Sequence, residues 1–217
     1  MDEVFVDNSM ARLLSLYEAK SKAVSSTAKA ALMQLFSHVI SDLVSKEIQN
    51  KIESEEEVKG DTNTITEKDD LVLSISTKLL GGLVSHLNPA KNSEWPVAEN
   101  NSTTCLALDL LSLIISEGKS QLANFSKLMI ILDEVFDPLL NQMTSMKSDF
   151  GISIRLINCI TLFAKYIECG LEPLTRWSLT FINLKANTWQ KLIAFESFTF
   201  ILGEKNLVKH LSESNEQ

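Results

Sequence analysis

The sequence is poor in the residues that most enzymes and secreted proteins depend on. Its 217 residues include only seven glycines, four prolines and three cysteines, which are Cys105, Cys159 and Cys169. The odd number of cysteines, their place in apolar segments and the lack of C-x-x-C spacing indicate free thiols in a reducing compartment. A secreted domain held together by disulfides is therefore disfavoured.

The sequence also lacks every common catalytic motif. It has no P-loop, no dinucleotide-binding glycine pattern, no nucleophile elbow and no H-E-x-x-H zinc motif. The histidines, His38, His86 and His210, each stand alone on a predicted helix, without a second ligand at a metal-binding offset. We therefore predict no enzyme, no metal and no cofactor, and expect a binding or scaffold role.

Clustered positive charge and long apolar runs are missing as well. The net charge is −8 and the pI is about 5.0, a balance that disfavours nucleic acid and anionic lipid as direct partners. No apolar run reaches the ~18 residues that a membrane helix needs. The acidic start, MDEVFVDNSM, has no apolar segment typical of a signal peptide.

What the sequence does contain is helical periodicity over most of its length. Apolar residues recur at steps of three and four, whereas the alternation typical of strands is scarce, so the predicted class is all-α. The predicted helices run over about 7–20, 26–52, 71–87, 103–117, 122–145, 150–168, 172–184 and 189–202.

The stretch 150–202 is the most apolar part of the chain. Leu156, Ile160, Phe163 and Ile167 form one helix stripe, and further apolar residues outside that stripe predict a helix covered on several sides. Helices covered in this way indicate stacked layers.

The chain divides into four regions by composition. Residues 1–52 hold the first two helices, and 53–70 (ESEEEVKGDTNTITEKDD) are predicted to form a solvated acidic loop, with an acidic binding motif as the alternative. Residues 71–212 hold the remaining helices, and 213–217 are a polar tail.

Several residues predict local features. Gly81-Gly82 within a helix indicates tight contact with a neighbouring helix, or else a kink. Trp95, in a loop, is expected to pack on the protein body, although it could be offered to a partner. Pro138 is expected to kink its helix or divide it near residue 136, because proline has no N–H to donate. Gly118 is the expected C-cap of the preceding helix.

Helix starts near 103, 150 and 188 are spaced by roughly 40–47 residues, the period of armadillo and HEAT-type helix pairs. The spacing therefore predicts an α-solenoid of antiparallel helix pairs. A compact irregular bundle is the alternative, since no repeated motif can be quoted.

Two stretches resemble the large Sec-seven-type Arf guanine-nucleotide exchange factors and their relatives. STAKAALMQLF at 26–36 resembles the pattern Asn/Thr-Thr-Ala-x-Ala-Thr-h-x-Q-h-h, with h apolar, that closes the dimerisation and cyclophilin-binding region of that family. Residues 106–211 resemble its next domain, called "homology upstream of Sec-seven". LDLL at 108–111, IRL at 154–156, and Trp189 with A-x-E-S at 194–197 are most similar to the Mon-two branch, whose members lack the exchange domain.

This resemblance implies a role, a location and a set of partners. It implies a non-catalytic scaffold in vesicle trafficking, cytoplasmic and peripheral at the trans-Golgi network and endosomes. The implied partners are an Arf-like small GTPase, the dopey protein, a phospholipid flippase and a second copy of the chain. Because the family's Asn-Tyr-Asp-Cys-Asp-like box is absent, we expect the chain to be part of a longer protein.

Two other functions remain open at this stage. One is the regulatory module of a true Arf exchange factor, and the other is a transport adaptor that carries cargo. For the partner surface we predict Arg155 and Lys165, on the polar strip of one helix, and Arg176 and Trp177 at the start of the next, since Arg and aromatic residues anchor interfaces. Charge reversal at Arg155 and Lys165 is expected to weaken partner capture without changing the thermal midpoint.

Overall fold

The computed structural model describes residues 3–56, 67–88, 93, 95, 100–144, 149–166 and 188–203. These residues contain α-helices, one 3₁₀ helix and no strand, which confirms the all-α class. The α-helices are α1 (Glu3–Tyr17), α2 (Lys22–Glu56), α3 (Glu67–Leu87), α4 (Asn101–Gly118), α5 (Ser126–Thr144), α6 (Phe150–Tyr166) and α7 (Thr188–Gly203). The 3₁₀ helix, Lys119–Asn124, joins α4 to α5.

The helices pack as two sets. The even-numbered helices α2, α4 and α6 lie side by side, and α4 has its most extensive contact with α6. Helix α3 packs against α5 and, less closely, against α1. Helices adjacent in sequence, such as α1 with α2 and α3 with α4, join the two sets.

One buried core runs through the described helices from Val6 in α1 to Ala164 in α6. In α1, Val6, Met10 and Leu14 follow one another at steps of four residues, so a single stripe faces this core. The regions 1–52 and 71–212 therefore share a core. The predicted boundary between these two regions at residue 52 remains a prediction from composition.

The boundaries of α2 and α3 differ from the prediction. Helix α2 begins at Lys22, before the predicted start at residue 26. Thr27 lies inside the helix, where its Oγ1 donates a hydrogen bond to the Ala23 carbonyl oxygen. The helix continues to Glu56, and α3 begins at Glu67, so both ends of the predicted acidic loop are helical. Glutamate is a good helix former, and carboxylates favour the first turn of a helix. Residues 57–66 lie outside the described part.

Two helix starts are fixed by side-chain caps. Asp149 accepts a hydrogen bond from the Gly151 N–H at 2.6 Å and precedes the first turn of α6. For α4 the cap is Asn100. The Asn100 side chain accepts from the Ser102 and Thr103 N–H groups, while the Thr103 hydroxyl accepts from the Asn100 N–H. Asparagine is among the strongest N-caps, and this reciprocal pair of hydrogen bonds is a capping box.

Gly118 differs from its predicted role as a C-cap, and Pro138 does not divide its helix. Gly118 is the last residue of α4, and Lys119 takes the positive φ of 46° that follows it. A Cβ on Gly118 would lie 2.4 Å from Leu122 Cγ, so the glycine gives space to a buried leucine. Pro138 lies inside α5 without dividing it.

Trp95 packs on the protein body, as predicted. It is 6% exposed and stacks on His86 with a centroid distance of 5.2 Å. A Cβ on Gly82 would lie 2.9 Å from Trp95 Nε1, whereas a Cβ on Gly81 would meet nothing within 4 Å. The tight contact expected at the glycine pair thus exists at Gly82 alone, and its partner is Trp95 in place of a helix.

Helices α6 and α7 are less buried than the sequence suggests. Leu156, Ile160 and Phe163 are buried, but Phe150 of α6 is 54% exposed and Leu192 of α7 is 61% exposed. Such exposed positions leave an apolar strip on these two helices. Ile167, of the predicted stripe, lies outside the described residues.

Candidate interaction surface

The predicted surface residues fall in different settings. Arg155 and Lys165 both lie on α6, where each is partly exposed. The Lys165 ammonium lies 5.5 Å from the ring centroid of its neighbour Tyr166. Arg176 and Trp177 lie outside the described residues, so their part in the surface stays a prediction.

Arg155 is held by α4 and by its own helix. Its Nε donates to Asp109 Oδ1 at 2.8 Å, and its Nη1 donates to the Gly151 carbonyl at 2.9 Å. Partial burial opposes the charged form, but the charge and hydrogen bond of Asp109 outweigh it and raise the pKa of Arg155. Arg155 is therefore an internal contact of the fold, and charge reversal there would place two carboxylates together.

Asp109 also binds a cation from the opposite side. Lys29 Nζ on α2 donates to Asp109 Oδ2 at 2.5 Å, so one carboxylate on α4 pairs with cations from both flanking helices. The Asp109 side chain is only 22% exposed. We call Lys29, Asp109 and Arg155 the charged triad. With two cations and one carboxylate, its formal charge is +1.

Hydrogen bonds between the even-numbered helices keep a constant register. Lys29 pairs with Asp109 and Ser37 pairs with Glu117, both at a separation of 80 residues. Asp109 pairs with Arg155 at a separation of 46 residues, as Ser112 does with Asn158. A constant separation means that residue numbers rise in the same direction on all three helices. The helices α2, α4 and α6 are therefore parallel.

Glu117 lies at the far end of this register, in the last turn of α4. Its Oε1 accepts a hydrogen bond from the Ser37 hydroxyl at 2.8 Å. Its Oε2 is buried and has no hydrogen-bond partner. A buried carboxylate oxygen without a partner is costly, and a negative charge is unfavourable at a helix C-terminus.

Cys159 of α6 is buried against α4, on the interior side of the layer formed by α2, α4 and α6. Its Sγ donates to the Leu108 carbonyl at 3.3 Å and lies 3.0 Å from Ser112 Oγ, which accepts from Asn158 Nδ2 at 3.1 Å. Full burial raises the pKa of Cys159 to about 12, so it stays a thiol. Cys105 also has a raised pKa because of burial, and neither sulfur is suited to nucleophilic chemistry.

Two adjoining clefts lie on the exposed face of α2, α4 and α6. Each is an open depression of about 460 Å³, and Met33 and Leu113 line both. The first continues past Ser37 and Ser41 to Glu117, and the second past Ser112 and Ser116 to Asp109. Short serine side chains between longer ones make these depressions. We call the two together the shared cleft.

Of the residues that organise this face, Arg155 alone was singled out from the sequence, and its partner Asp109 was not. Asp109 carried one signal, since it is the only charged residue in the apolar run LALDLLSLII. A carboxylate in such a run requires a partner. The partners are 80 residues before it and 46 residues after it, so no local motif could reveal them.

No cluster of three or more metal-ligating side chains occurs within the described residues. His38 Nε2 lies 3.8 Å from Oδ2 of Asp42, one turn further along α2. His86 stacks on Trp95. None of the helices in the described ranges is both long and apolar enough to cross a bilayer.

Comparisons of the chain with protein-family models, with curated proteins and with solved structures find no match.

Proposed function

We propose that the chain is a non-catalytic scaffold module that binds other proteins, built as an armadillo- or HEAT-like solenoid. The observation that carries this proposal is the parallel layer of α2, α4 and α6 held in constant register. Layers of this kind form when successive helix pairs stack, and stacked pairs present an extended face to partners. The packing of neighbours and second neighbours supports the same architecture.

The setting proposed for this scaffold is vesicle trafficking at the trans-Golgi network and endosomes. It rests on the resemblance of 26–36 and 106–211 to the Sec-seven-type superfamily and its Mon-two branch. The proposed partners are an Arf-like small GTPase, the dopey protein, a phospholipid flippase and a second copy of the chain. In this role the module would organise a GTPase pathway without catalysing exchange.

The test is affinity capture from a Golgi-enriched lysate with the tagged chain. We expect an Arf-like GTPase or the dopey protein to be retained above a tag-only control. Retention of neither, together with retention of a nuclear-import GTPase, would replace the proposal by the transport adaptor.

A further inference from the structure

No further inference is drawn: the strongest candidate, the polar pocket of about 430 Å³ that Lys20 and Lys22 line between the N-termini of α2 and α4, rests on helix N-termini and two exposed lysines, and none of the buried polar atoms that lack a partner in the described part of the chain belongs to a residue lining it.

Discussion

At the scale of single residues, Asp109 contributes most to the face of the even-numbered helices. It is the only carboxylate in the charged triad, and it joins three helices through two ion pairs. Replacing Asp109 by asparagine would leave Lys29 and Arg155 close together without their counter-charge. We expect Asp109→Asn to lower the free energy of unfolding by about 1–2 kcal/mol, since the triad is partly exposed to solvent.

Urea denaturation measures this loss, with Asp133→Asn as the matched control. The control should change the free energy of unfolding by less than about 0.5 kcal/mol, as exposed substitutions commonly do. Equal stability of the two variants would show that the triad does not hold the helices together.

Cys159 gives a prediction of pH dependence. In the folded chain its pKa is about 12, whereas the ordinary value is 9.0. Above pH 9 the unfolded chain therefore loses a proton that the folded chain keeps, and stability falls as pH rises. The stabilisation is complete below pH 9 and is lost between pH 9 and 12, at up to about 1.4 kcal/mol per pH unit.

The measurement is the free energy of unfolding at pH 8, 9 and 10 for the unaltered chain and for Cys159→Ala. The slope above pH 9 should be less steep in the variant, whatever its absolute stability. Cys105→Ala should change the slope less, because Cys105 is only partly buried. Identical slopes for the unaltered chain and Cys159→Ala would contradict the burial of this thiol.

The settings of these residues could be predicted from the sequence only in part. The apolar surroundings of Cys159 predicted an inert thiol. Arg155 was predicted as free surface, because its polar strip was visible and its partner on α4 was not. Pairing over 46 or 80 residues depends on how helices stack, which periodicity within one helix does not contain.

At the scale of elements, alanine substitutions at the two neighbouring glycines of α3 distinguish the effect of packing from that of helix propensity. Gly82 faces Trp95 at a distance that excludes a Cβ, whereas Gly81 faces open space. We expect Gly82→Ala to destabilise the fold by about 1–3 kcal/mol through overpacking. Gly81→Ala should stabilise it by up to about 1 kcal/mol through helix propensity.

Thermal or urea unfolding of the two variants, followed by circular dichroism, provides the comparison. The two substitutions add the same methyl group one residue apart, so each controls for the other. Effects of the same sign and size would show that Trp95 does not pack against Gly82.

Helix types were predictable, whereas helix ends were less so. The periodicity of α1 was sufficient because its buried residues form one stripe, whereas α4 is buried over more of its circumference. The acidic end of α2 was predicted as loop from its charge, although glutamate favours helix. Pro138 was expected to kink α5 or to divide it near residue 136, and the helix is not divided there.

At the scale of the whole molecule, the all-α class followed from composition, and the parallel layer did not. The spacing of helix starts indicated stacked pairs, but it could not show which faces meet. The charged triad and the pair Ser37–Glu117 supply that information, because they fix α2 against α4 and α4 against α6.

The most direct test of this account is affinity capture with a chain whose shared cleft is blocked. Ser116→Arg places a long side chain in the cleft, and Ser126→Arg adds the same side chain at the exposed start of α5. The account predicts that partners retained by the unaltered chain are lost with Ser116→Arg and kept with Ser126→Arg, both variants being folded. Equal retention by the two variants would contradict it.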